Sequence, residues 1–249
     1  RNVTWDLWQD NHQNQDAHNF YVGYIQITSA ANVVLDNVQV ASGTNFASGD
    51  RRYKAISIVR STVTVMNSRF PFDFPTSSTI DGILWGSFSA LKIHNNYFDN
   101  EGGPGVWTIS EAAASRSTRF EFSNNICVTR YPDAAYGCLM DTDVSSGSLI
   151  TNNMFIAAGN TATGIKLHGG GLLDHAGCQN SYQISNNIGI SNRPQGYDDN
   201  TFIVINEDPS CVLANTYIHG NSVGGWETFL NEIDTPANTI LDDNRLGGG

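Results

Sequence analysis

Apolar and polar residues alternate in this chain over short stretches, and the stretches recur. An apolar-x-apolar run is followed by one or two asparagines and often by another apolar residue. The runs read VVLDNVQV from Val33, VTVMNSRF from Val63, LKIHNNYF from Leu91, FEFSNNIC from Phe120, LITNNMF from Leu149, YQISNNIG from Tyr182, YIHGNSV from Tyr217 and ILDDNRL from Ile240. Marking each run at its first turn residue gives Asn37, Asn67, Asn95, Asn124, Asn152, Asn186, Gly220 and Asp243, at intervals of 30, 28, 29, 28, 34, 34 and 23 residues. A recurrence of this length is the mark of a repeat architecture.

A second phrase lies between the markers. A glycine precedes an apolar strand in DGILW from Asp81, GVWTI from Gly105, GCLMD from Gly137 and GIKLH from Gly164, with KAISIV from Lys54 and TFIVIN from Thr201 as variants that lack the glycine. Each period therefore holds at least two short strands, and no stretch shows helical periodicity, which excludes helical and strand-plus-helix repeats. Such strands coil rather than fold back, and coils stacked at about 4.8 Å place equivalent residues in columns along the axis. Asparagine suits a tight left-handed backbone position, and its amide can bond the amides above and below it. In FEFSNN, Phe120 and Phe122 are expected to share a face with Asn124. Asn95, Asn124, Asn152 and Asn186 are accordingly expected to stack in one internal column.

These phrases resemble the right-handed parallel β-helix of the pectin-lyase-like superfamily with its asparagine ladder, from about Val3 to Leu246. The resemblance implies an all-β solenoid of about seven to eight turns. It does not select a function, because that superfamily includes polysaccharide lyases, glycoside hydrolases, epimerases, phage tailspikes, adhesins and structural proteins.

A repeat running from end to end of the 249 residues predicts one domain, 1–249. No apolar run approaches the roughly 20 residues of a membrane helix, so no membrane insertion is expected. Solenoids need caps over their terminal coils. Residues 1–22 could cap with Trp5, Trp8 and Phe20; the preferred reading is a partial turn in a piece of a longer protein.

Cys178 lies eight residues before Asn186 and Cys211 nine before Gly220, nearly equivalent places on adjacent coils. Cys127 and Cys138 flank one turn, in columns otherwise held by Phe98 and Phe155 and by Val106 and Ile165. Bridges 178–211 and 127–138 both satisfy the geometry and would imply an oxidising compartment; the first is the one expected. Four reduced core cysteines are the plain alternative. The predicted address is extracellular or secreted, or a virion surface.

Thirteen basic against twenty-four acidic residues give a net charge of −11 with no basic run, which argues against nucleic acid as a partner. The same balance disfavours a polyuronate, unless calcium bridges it, and favours a neutral glycan. No cofactor other than such calcium is expected.

Counting from each glycine of the second phrase puts Ile83, Trp85, Val106, Thr108, Cys138, Met140, Ile165 and Leu167 inward. The outward columns then read Leu84, Trp107, Leu139, Lys166, Val204 and Gly86, Ile109, Asp141, His168, Asn206, with Glu111, Asp143, Glu207 and Asp208 just beyond. Asp141 and Asp143, two apart on an extended segment, would lie about 6.5 to 7 Å apart, inside the range of inverting glycosidases. Asp141, Asp143 and His168 are the candidate catalytic residues, and Trp107, Lys166, Asn206, Glu207 and Glu111 the candidate substrate-binding ones. The DTD of Asp141 to Asp143 with His168 is loosely similar to polygalacturonase-like motifs, but the spacing and the basic motif differ, so no role is carried over. Solvated surface carboxylates capping turns are the bland reading. His94 and His219 fall in an outward column away from any carboxylate cluster; His12, Asp16 and His18 could meet a metal only as a loop coincidence, and no metal site is predicted.

Two classes of function follow. The first is a carbohydrate-active β-helix that binds or cleaves a polysaccharide, as a glycanase or a tailspike-like depolymerase. The second is a non-catalytic structural or adhesive solenoid. Either allows a homo-oligomer, a trimer or a larger assembly.

Overall fold

The computed structural model describes residues 3–7, 23–42, 53–72, 80–87, 89–100, 106–109, 120–129, 138–142, 147–158, 163–169, 178–180, 182–192, 201–207, 211–213, 216–233 and 239–247. Among these the regular elements are all strands, and they pair in parallel throughout. Three long sheets take successive strands of the chain in rotation. A flank sheet contains Tyr53–Val59, Ile80–Ser87, Val106–Ile109, Leu139–Thr142, Thr163–Gly169 and Thr201–Glu207. A pre-turn sheet contains Thr62–Met66, Ala90–His94, Phe120–Ser123, Ser148–Thr151, Tyr182–Ser185 and Thr216–His219. A post-turn sheet contains Arg69–Phe72, Tyr97–Asn100, Ile126–Thr129, Met154–Ala157 and Ile188–Ser191. Each strand pairs with its counterpart one repeat away, the arrangement of a β-solenoid. No helix among the described residues is long and apolar enough to cross a membrane.

The asparagine turn joins the pre-turn and post-turn sheets. Every marker is left-handed: φ is +54° at Asn37, +53° at Asn67, +59° at Asn95, +55° at Asn124, +57° at Asn152 and +55° at Asn186. Gly220 holds the same place at +63°, where glycine carries no Cβ penalty. The internal ladder, however, is built one residue later than expected. Asn95, Asn124, Asn152 and Asn186 stack on the surface, while Asn96, Asn125, Asn153, Asn187 and Asn221 are buried. The left-handed residue bends the chain and resets the alternation, so the residue after it faces the Phe120 and Phe122 side.

Each buried amide is fully engaged. Asn125 Nδ2 donates to Ile93 O at 2.9 Å and to Asn153 Oδ1 at 3.1 Å, while Asn125 Oδ1 accepts from the Asn96 backbone N–H at 2.9 Å and from Asn96 Nδ2 at 3.1 Å. The same pattern runs on through Asn153, Asn187 and Asn221 to Asn244. Ser68 occupies the ladder position before Asn96: its N–H donates to Asn96 Oδ1 and its hydroxyl accepts from Val38 N–H.

Beside the ladder runs an aromatic stack. Phe70, Phe98, Cys127 and Phe155 occupy one row of the post-turn sheet, and Phe70 and Phe98 stack with centroids 5.0 Å apart. Phe122 joins Phe98 and Phe155 at 6.1 Å each, and Phe202 meets Phe155 edge-on at 5.7 Å. Gly189 follows Phe155 in the row and leaves room for Phe202, since a Cβ there would come within 2.6 Å of Phe202 Cε2. Gly189→Ala is therefore expected to overpack this point and lower stability by about 1 to 2 kcal/mol, read from a denaturation midpoint.

Cys127 and Cys138, both buried, form a disulfide with their Cα atoms 6.1 Å apart. Cys127 lies between Phe98 and Phe155 as expected, but Leu139 rather than Cys138 shares the row of Val106 and Ile165. Cys178 and Cys211 are direct register partners in a two-stranded sheet; their side chains lie outside the described residues, as do residues 8–22.

Candidate functional site

The register of the flank sheet sorts its residues into rows. Ile56, Leu84, Val106, Leu139, Ile165 and Ile203 form one row, and the described side chains in it are buried. Leu84 and Leu139, expected outward, thus belong to the core. Two residues on, Ile58, Gly86, Thr108, Asp141, Leu167 and Ile205 form a second row, in which Ile58, Leu167 and Ile205 are buried. The register leaves two further rows, whose described side chains run from buried Ser57 to half-buried Val59, Lys166 and Val204. One is Ser57, Trp85, Trp107, Met140, Lys166 and Val204; the other is Val59, Ser87, Ile109, Thr142, His168 and Asn206.

This register revises the expected grouping. The register partner of His168 is Thr142, and Asp141 pairs with Leu167, so Asp141 and His168 are not cross-strand partners. The reason is local. Counted from glycine, the residue of the Leu84 row comes two places after Gly82 and Gly137 but one place after Gly105 and Gly164, and an irregularity falls at Tyr53/Lys54 opposite Ile80 and Gly82. Glycine is thus not a fixed ruler along this sheet.

Several candidates do come together. His168 and Asn206 are neighbours, Gly169 pairs with Glu207, and Trp107 and Lys166 share a row with Met140 between them. Trp85, expected inward, is the register partner of Trp107. Aligning KAISIV with ILWGS on their apolar residues, rather than on glycine, would have placed it there. Lys166 is half-buried, and burial lowers its pKa from the ordinary lysine value. Asp143, Glu111 and Asp208 lie outside the described residues, as do His12, Asp16 and His18. Among the described residues no three His, Cys, Asp or Glu side chains are placed to hold a metal.

A polar cluster that the sequence reading set aside occupies the pre-turn sheet. His219 and Asp242 are register partners. Tyr217 Oη donates to Asp242 Oδ2 at 3.3 Å, and the Tyr217 and His219 rings lie 4.4 Å apart. Gln183 Nε2 stands 3.5 Å from His219 Nε2. Partial desolvation, the Asp242 charge and this hydrogen bond raise the Tyr217 pKa. The signal was present: His219 and Asp242 each directly precede a turn marker.

No protein-family model, curated protein or solved structure matches the chain.

Proposed function

We propose that this chain is an extracellular, carbohydrate-active solenoid of the right-handed, pectin-lyase-like kind, with seven to eight coils, and that it binds a polysaccharide along the outer face of its flank sheet. The observation that carries this reading is the row in which Trp85 and Trp107 are neighbours on adjacent coils, in line with Lys166. Indole rings suit the apolar faces of sugars, and a spacing of about 4.8 Å per strand is close to one sugar length. The adjoining row offers His168 and Asn206 as hydrogen-bonding groups. Because Asp141 is not a register partner of His168, this arrangement supports binding more directly than cleavage. A cleaving version would use Asp143 or Glu207 with His168. The Cys127–Cys138 disulfide supports an oxidising compartment. No cofactor is required beyond calcium bridging to an acidic polymer.

The test is a binding and degradation screen against neutral and acidic polysaccharides, with Trp107→Ala and Trp85→Ala as controls. Each variant is expected to weaken binding about tenfold. Absence of binding to every glycan, or wild-type affinity in both variants, would reject the reading. The second class, a structural or adhesive solenoid, is favoured by the apolar outer strip of the post-turn sheet, where Ile126, Ile188 and Ile190 are 41%, 43% and 39% exposed.

A further inference from the structure

The surface asparagines and the strands that follow them form a groove away from the flank sheet. It is shallow and open to solvent, has a volume of about 440 Å³ and is lined by Asn67, Arg69, Asn95, Tyr97, Asn124 and Ile126, from three consecutive coils. That volume falls within the range of small-ligand sites. The left-handed turn fixes the asparagines on the surface, so their amides form a ridge along one wall.

The ridge is partly oriented from within. Asn67 Nδ2 donates to Asp36 Oδ1 at 2.8 Å, and Asn95 Nδ2 donates to Asn67 Oδ1 at 3.4 Å. The Asn124 side-chain amide makes no hydrogen bond among the described residues. Opposite the ridge, Arg69, Tyr97 and Ile126 are register neighbours on successive strands. The Arg69 guanidinium lies 5.2 Å from the centre of the Tyr97 ring, and Tyr97 Oη donates to Asp99 Oδ2 at 3.0 Å. Arg69 is thereby held over a ring that is itself anchored, and it forms no ion pair among the described residues. Ile126, 41% exposed, gives the groove an apolar patch beside that cation.

We propose that this groove is a subsite for one acidic sugar residue, with its anionic group on Arg69, its hydroxyls on the amides of Asn95 and Asn124, and its apolar face on Ile126. A planar guanidinium pairs with a carboxylate through two parallel hydrogen bonds, and a side-chain amide offers both a donor and an acceptor to a sugar hydroxyl. The overall charge of −11 sets the rest of the specificity. A polyanion would be repelled along most of the surface, whereas a largely neutral glycan with an isolated acidic residue meets a single cation where it needs one. The proposal takes its ligand class from the glycan reading above, but it uses a different face of the molecule.

The experiment is saturation-transfer NMR with glucuronate and with glucose, on the wild-type chain, Arg69→Gln and Trp107→Ala. Arg69 is exposed, so its variant is expected to keep the wild-type circular dichroism spectrum. Glucuronate should bind about tenfold more weakly to Arg69→Gln than to the wild type, and glucose should bind both as weakly as glucuronate binds that variant, while any signal lost in Trp107→Ala reports the flank sheet. No glucuronate signal from the wild type, equal signals from wild type and Arg69→Gln, or equal binding of glucose and glucuronate would overturn the proposal. If the polysaccharide screen fails while the Arg69-dependent glucuronate signal persists, the flank-sheet reading falls and the subsite stands.

Discussion

Replacing Asn125 by Leu is expected to destabilise the fold by about 3 to 5 kcal/mol, while the same change at its neighbour Asn124 costs only about 1 to 2 kcal/mol. Asn125 is buried and takes part in four hydrogen bonds through its side chain. A leucine there removes the partner of the Asn96 N–H and a donor to the Ile93 carbonyl in an interior that excludes water, and each orphaned group costs about 1 to 3 kcal/mol, with the bulk of leucine against the ladder added. Asn124 is exposed at φ +55°, so its leucine variant suffers only the steric cost of a branched side chain in left-handed backbone. Asn124→Gly should therefore be close to neutral. Urea midpoints of the three variants check this ordering, and an Asn124→Leu loss equal to that of Asn125→Leu would contradict it.

The second large effect concerns the one bridge defined among the described residues. Converting both Cys127 and Cys138 to alanine is expected to cost about 3 kcal/mol, the entropy of freeing a loop of this length in the unfolded chain. The cysteines are 11 residues apart in sequence and their side chains are buried, so reductant should act slowly on the folded protein and quickly in denaturant. Thermal melts of the double variant and of the oxidised wild type give the comparison. Equal midpoints would mean that the bridge constrains little.

Much of the architecture could be read from the residues because a solenoid writes its fold into the sequence as a period. The marker positions Asn37 to Asp243 predicted which residues would share a turn, and their left-handed backbone follows from side-chain chemistry alone. The ladder was misplaced by one residue because alternation was carried through Asn124 as though the strand continued, whereas the bend there resets it. The same kind of slip moved the flank-sheet assignments. Counting from glycine points Leu139 and Leu84 outward, because the offset from that glycine to the core row is two residues there and one after Gly105 and Gly164. That error hid Trp85 and put Asp141 opposite His168. The adjacency of Cys178 and Cys211 was legible from matched offsets, since both counts stay within one repeat.

The buried amides also give the molecule a direction. Each Asn Nδ2 and backbone N–H in the ladder donates to the oxygen of the next repeat, from Asn96 to Asn125 to Asn153 and onward to Asn244, and the sense never reverses. A coil therefore receives from the coil that follows it the acceptor for its Asn backbone N–H and for one amide hydrogen, while the other amide hydrogen goes back to a carbonyl of the coil before, as from Asn125 Nδ2 to Ile93 O. Growth toward the C-terminus works as a one-way zipper, with every newly docked repeat completing the one already in place. Deleting repeats is consequently asymmetric. A cut on the C-terminal side orphans both the Asn backbone N–H and one amide hydrogen of the exposed rung, whereas a cut on the N-terminal side orphans one amide hydrogen, the one that Asn125 Nδ2, for example, gives to Ile93 O.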